Sequence, residues 1–147
     1  MTKTLFEIPT MRRNINTDKA EIRGSEPYVY SQYTHSIYSP RYGASRVPWL
    51  SGAASWAYYA ATQYILGIRH DYKGLYIDPC IPTTWKEFAA TRQFRNKTLN
   101  IKVINPNGVQ KGVRKITLNS EVISGNLIPL SKMKKENKVL VEMGTNA

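Results

Sequence analysis

Across the last third of the chain, apolar side chains fall on every second position. "TLNIKVI" sets Leu99, Ile101 and Val103 against Asn100 and Lys102; "KITLN" and "KVLVEM" repeat the rhythm, and "SGN" at 124–126 interrupts it. A period of two puts one face of a strand in a core and the other in water. "NPNG" at 105–108 reads as a turn, because Pro106 presets φ and Gly108 accepts a positive one. "FAATRQFR" adds a further strand. Together these elements predict an antiparallel sheet or small β-sandwich.

Before about residue 72 the pattern is different. From Gly52 to Gly67 there is no internal Pro or Gly, and Ala53, Ala54, Ala57, Ala60 and Ala61 favour a helix. Trp56, Tyr58, Tyr59, Tyr64, Ile65 and Leu66 leave that helix no continuous polar face, so burial on most sides is expected. Gly67 supplies a stop, with Arg69 just beyond at the negative end. A second helix is expected within "RGSEPYVYSQYTHSIYS", capped by Ser25, with Glu26 and Pro27 in its first turn. "SPRYGASRVP" reads as the loop between them. One or two such helices cannot hide their apolar surface on a small sheet, so this half is expected to need partners outside itself.

Composition narrows the class. The chain has 147 residues, 41% hydrophobic and 21% charged, as in a soluble globular protein. No run of 18 apolar residues occurs, and "MTKTLFEIPTMRRNIN" lacks the apolar stretch and cleavage site of a secretory signal. No membrane association and a cytoplasmic location are the expectation. Cys80 is the sole cysteine, which excludes an intrachain disulfide and a cysteine zinc cluster; a packed, reduced thiol is expected.

The net charge of +11 raises nucleic acid as a partner. The excess is concentrated: residues 1–89 carry 10 basic and 7 acidic side chains, whereas residues 90–147 carry 11 and 3. Those lysines fall in turns or on alternate strand positions, where a solvated face puts them. A lysine-coated β domain is therefore preferred to a nucleic-acid binder.

Common catalytic constellations are missing. Ser51, His35, His70 and Asp71 supply the residue types of a serine hydrolase, but no G-x-S-x-G elbow surrounds Ser51. The two histidines have no metal-ligand spacing. Glu26, Asp71, Asp78 and Glu87 are isolated carboxylates, each with a cap or turn role open to it. The step Ser51-Gly52 is chemically different. A helix N-terminus offers unpaired N–H groups and about half a positive charge. Gly52 would let a ligand approach the backbone, and Ser51 adds a hydroxyl donor, a combination suited to phosphate. The competing reading is an ordinary serine cap on a tightly packed helix.

Several segments, in order, resemble the C-terminal end of glycoside hydrolase family 94, the family of the cellobiose and chitobiose phosphorylases. They are "AEIRGSEPYVYSQ", "PRYGASRVPWLSGAASW", "YILGIR", "GLYIDPCIPTTWKEF" and "LNIKVINPNGVQKGV". The likeness runs from about Ala20 to the end. It implies an α+β chain: residues 1–19 an N-terminal segment, residues 20–71 the last helices of an (α/α)6 barrel, and residues 72–147 a C-terminal antiparallel β-sandwich domain. Members of this family are several times longer and form homodimers.

The reaction the resemblance implies is inverting phosphorolysis of a β-linked disaccharide, with inorganic phosphate as co-substrate and no cofactor. Phosphate is already anionic, so the second carboxylate that an inverting hydrolase uses to activate water is dispensable. By resemblance, Ser51 and Gly52 would bind phosphate and Gln32 would lie near the sugar. The general-acid Asp belongs to a "GDWND"-like motif that this sequence does not contain. The phosphate-binding arginines and histidine of the family lie upstream of the matching segments, and His35 and Arg41 do not replace them. "RVPW" departs from the Asn-Ser usual before this Trp. No catalytic residue is therefore assigned, and the chain alone is expected to be inactive, needing the N-terminal part of the enzyme as partner. Two other readings differ in class: a stand-alone carbohydrate-binding or interaction module, and a nucleic-acid binder driven by the basic half.

Overall fold

A computed structural model describes residues 20–26, 29–50 and 52–144. Residues 1–19, Pro27, Tyr28, Ser51 and residues 145–147 lie outside the described residues. The chain divides into two compact units, with the break between Tyr59 and Ala60.

In the first unit, α1 (Ala20–Arg23) is a single turn that ends where Gly24 takes φ +62°. The helix expected from Ser25 does not form over residues 29–50. Ser25 instead accepts a hydrogen bond from Arg23 Nε (3.0 Å), which also donates to Ser45 Oγ (3.2 Å). Arg23 reaches the Val29 carbonyl through its other guanidinium arm. A serine hydroxyl used this way holds a turn rather than starting a helix. Strands β1 (Tyr33–Thr34) and β2 (Ser45–Arg46) then pair antiparallel, closing the expected loop as a hairpin.

Helix α2 (Ala53–Ala60) follows, so the alanine-rich run is helical as its propensities require. Its expected burial is not found: none of its residues is buried, and Trp56 is 73% exposed. Trp56 and Tyr59 meet edge to face at 6.1 Å, a contact within the helix rather than a core.

The second unit begins at Ala60, the last residue of α2, continues in a π-helical turn, Ala61–Ile65, and then leaves the helix through Gly67 at φ +66°. Glycine is required there twice over. The backbone is left-handed, and a Cβ would sit 2.1 Å from the Asp78 carbonyl oxygen. Strands β3 (Ile68–His70), β4 (Gly74–Ile77) and β9 (Leu127–Pro129) form a three-stranded antiparallel sheet in that order.

The second sheet contains β5 (Glu87–Phe94), β6 (Lys97–Ile104), β7 (Val113–Leu118), β8 (Glu121–Ile123) and β10 (Glu136–Met143), ordered β5-β6-β10-β7-β8. Each run singled out in the sequence falls on a strand here, with Arg95 and Asn119 just beyond their strand ends. Arg95-Asn96 and Asn119-Ser120, all at positive φ, are the two-residue turns of the β5–β6 and β7–β8 hairpins. One expectation needs correcting: β6 and β10 run parallel, so the sheet is mixed rather than antiparallel. Period-two burial specifies which face is wet, and it holds equally for either direction of the neighbour. The parallel pair keeps Asn100 and Lys102 of β6 exposed, so one of its faces is solvated.

Both sheets feed one hydrophobic cluster. Leu99, Ile101, Val103, Val139 and Val141 come from the larger sheet; Ile68, Leu75, Ile77 and Ile128 come from the smaller. Each such side chain contributes about 1.5–3 kcal/mol by leaving water. Two asparagines are buried with them, and every side-chain polar atom of both is hydrogen-bonded. Asn137 Nδ2 donates to the Thr98 and Lys134 carbonyls (3.1 and 2.9 Å), and its Oδ1 accepts from Lys134 N–H and Asn119 Nδ2. Asn105, at the start of the expected turn, donates to the Trp85 and Val109 carbonyls and accepts from Val109 N–H. No helix among the described residues is long and apolar enough to cross a membrane.

Candidate functional site

The residues assigned by resemblance lie in the first unit. Gln32 stands immediately before β1, and its N–H donates to the Arg46 and Val47 carbonyls (3.1 and 3.3 Å). Those bonds fix the backbone and leave the side chain exposed. Gly52 is exposed at the head of α2, and its carbonyl accepts the first helical bond from Trp56 N–H at 3.0 Å. A Cβ built on Gly52 would meet only the Trp56 ring, at 3.6 Å, which is ordinary contact. The chain's own described packing therefore does not demand glycine at that position. Among the described residues no hydrogen bond or ring contact joins Gln32 to Gly52.

His35, set aside in the sequence reading, shares a 3.1 Å contact between its Nδ1 and Ser39 Oγ, while its Nε2 is buried without a hydrogen-bond partner. Tyr33 lies edge-on to its ring. No group of three or more His, Cys, Asp or Glu side chains is gathered to hold a metal ion among the described residues.

A separate concavity lies wholly within the second unit. It encloses about 310 Å³ and is lined by Gln63, Tyr64, Ile65, Arg69, Asp78, Cys80 and Lys111. Backbone bonds hold its walls together: Asp78 N–H donates to the Gly67 carbonyl (2.8 Å) and Cys80 N–H to the Ile65 carbonyl (2.9 Å). Cys80 and Lys111 face each other across an isolated antiparallel bridge. Arg69 sits in β3 opposite Tyr76, stacks its guanidinium 4.8 Å over that ring, and reaches Asp78 at 3.7 Å. Lys111 approaches the same carboxylate at 3.5 Å.

Three sequence readings change here. Arg69 is a strand residue of an ion pair, not a helix-end charge. Asp78 is the carboxylate between two cations as well as the residue before a proline. Cys80, expected to be packed, is exposed. Nothing in the spacing of residues 63, 69, 78, 80 and 111 could have grouped them, because the bridge between Cys80 and Lys111 spans the whole β5–β6 hairpin.

Comparison with known proteins adds a further set of observations. Residues 6–67 match the model of the glycosyl hydrolase 94 superfamily, catalytic domain. Over 127 residues the chain is 44% identical to the N,N'-diacetylchitobiose phosphorylase of Vibrio proteolyticus, covering 86% of this chain and 16% of that protein. The N,N'-diacetylchitobiose phosphorylase of Vibrio furnissii is 42% identical over the same shares. The solabiose phosphorylase of Paenibacillus borealis is 34% identical over 107 residues, 73% of this chain and 14% of that one. The chain thus spans about a sixth of the length of these relatives.

Proposed function

The chain belongs to the glycosyl hydrolase 94 superfamily, and on that premise we propose that it is the C-terminal portion of an inverting disaccharide phosphorylase. The observation that carries this reading is the identity to two diacetylchitobiose phosphorylases across 86% of the chain. In this reading residues 20–71 complete an (α/α)6 barrel, residues 72–147 form a C-terminal β-sandwich domain, and the partner is the remainder of the same enzyme. The enzyme is cytoplasmic and homodimeric.

The reaction transfers a glycosyl group from a β-linked disaccharide of glucose or N-acetylglucosamine to inorganic phosphate. An oxygen of phosphate attacks the anomeric carbon from the face opposite the leaving sugar. The glycosidic C–O bond breaks, and its oxygen leaves with a proton supplied by a general acid. Inversion yields an α-sugar 1-phosphate and a free sugar. This chain contributes one wall of the phosphate subsite. Ser51 donates its hydroxyl, Gly52 lets phosphate come close to the helix end, and Gln32 reaches toward the sugar. The tolerance of the described structure for a Cβ at Gly52 supports that assignment, since a ligand would then be what requires glycine there.

The general acid is not among these residues, and general acid catalysis contributes about 10²–10⁴-fold. The purified chain incubated with phosphate and cellobiose or N,N'-diacetylchitobiose should therefore release no sugar 1-phosphate; release at enzymatic rates would overturn the requirement for a partner. In the complete enzyme, Ser51→Ala removes a hydrogen bond to a charged group and should weaken phosphate use by about 1.5–3 kcal/mol. An unchanged phosphate KM would remove Ser51 from the site.

A further inference from the structure

The cleft in the second unit has no part in the reaction proposed above, yet it has the features of a built site. Gln63 is 7% exposed and lines the cleft, and its side-chain amide makes no hydrogen bond to any described residue. Neither of its amide atoms is among the sealed, unpartnered polar atoms of the described residues, so solvent or a ligand can reach the amide of this cleft-lining residue. An amide without a protein partner is completed by a ligand or by water. It sits on a π-helical turn, a local irregularity frequently found at functional sites.

The charges around it do not cancel. Arg69 and Lys111 both face Asp78, at 3.7 and 3.5 Å, so two cations share one carboxylate. These separations are longer than charge-assisted hydrogen bonds, leaving N–H groups of both cations able to bind another acceptor. Asp78 is 15% exposed, whereas Arg69 and Lys111 are 38% and 65% exposed, so the residual positive charge lies at the mouth. The volume of about 310 Å³ is at the lower end of small-molecule sites.

We propose that this cleft binds a small organic anion: a phosphate or carboxylate group on Arg69 and Lys111, with an adjacent hydroxyl or amide completing Gln63. A group that both donates and accepts matches the two ends of the Gln63 amide, and one negative charge matches the uncompensated cation. The site is independent of the phosphorylase reading, because it is formed wholly within the second unit and its occupancy can be measured without turnover.

Cys80 provides the measurement. It is the only cysteine in the chain, it is exposed, and it lines the cleft. Alkylation of the full chain by the neutral reagent iodoacetamide would be followed by mass spectrometry in the presence of glucose 1-phosphate or glucuronate, which separate the phosphate and carboxylate sources. Glucose and sodium chloride at matched ionic strength serve as controls. A bound anion at about twice its Kd leaves a third of the sites open, so alkylation should slow about threefold and the effect should saturate. Glucose and chloride should not reproduce it. Lys111→Gln, a change at an exposed side chain, should abolish the protection, and Gln63→Leu should weaken it for both anions. The proposal is overturned if neither anion protects saturably, if chloride protects as well, or if protection survives unchanged in Lys111→Gln and Gln63→Leu.

Discussion

Helix α2 and strand β6 are both eight residues long and rich in large apolar side chains, yet they meet opposite fates. In β6, Leu99, Ile101 and Val103 are at most 2% exposed; α2 buries none of its residues. The difference does not lie in hydrophobicity. Strand β6 has β5 and β10 beside it and the smaller sheet's side chains in the same cluster, so each apolar residue finds neighbours. Around α2, Trp49, Leu50, Trp56 and Tyr58 remain mostly in water. An apolar residue stabilises a fold only when other elements cover it, and exposed patches of this kind mark surfaces that meet something else. Under the proposed function, that something is the rest of the barrel.

The largest test of this contrast pairs a core truncation with a surface one. Ile101→Ala should cost about 2–5 kcal/mol of unfolding free energy through lost burial and a cavity. Tyr38→Ala, at a side chain 92% exposed, should stay within about 0.5 kcal/mol. Urea midpoints followed by far-ultraviolet circular dichroism would show both. Similar losses would mean that the aromatic region is as well packed as the sheets.

A backbone pair comes next. Gly67→Ala forces a Cβ against the Asp78 carbonyl at φ +66° and should destabilise the second unit by about 2–4 kcal/mol. Gly52→Ala meets only an ordinary contact and should change the urea midpoint by less than about 0.5 kcal/mol equivalent. If Gly52→Ala were the costlier of the two, glycine at the head of α2 would be serving the fold rather than a ligand.

The smallest effect concerns the polar part of the core. Asn137→Ala removes a buried side chain that bonds the Lys134 N–H and the Thr98 carbonyl, leaves both part-buried groups without it, and should cost about 1–3 kcal/mol. Hydrogen exchange should then quicken at Thr98 and Lys134 first, at the entry to the β6–β10 pair. Uniform acceleration across both sheets would place Asn137 in global rather than local stability.

The strands were legible in the sequence because their signal is local. Leu99, Ile101, Val103, Val139 and Val141 alternate with polar residues, and the pleat converts that alternation directly into two faces. The Gly67 stop was legible for the same reason, since a left-handed residue after a helix favours glycine. The expected helix at Ser25 failed because a hydroxyl can cap a helix or hold a turn, and Arg23 settled which. Of the residues assigned to phosphate and sugar, family resemblance rather than pattern singled out Gln32 and strengthened Ser51 and Gly52. The described geometry gives Gln32 an exposed side chain and Gly52 an exposed backbone.

What the sequence determined by itself is therefore periodic or local: strand faces, turns, the helical run of alanines, the excess of lysine on solvated positions, and membership in a family. Tertiary structure alone decided three things. It placed β10 parallel to β6, because burial periodicity carries no information about strand direction. It left the aromatic face of α2 uncovered, because burial depends on neighbours and not on the residue. And it brought Gln63, Arg69, Asp78, Cys80 and Lys111 around one cleft, because the bridge from Cys80 to Lys111 joins positions whose separation along the chain exceeds any motif.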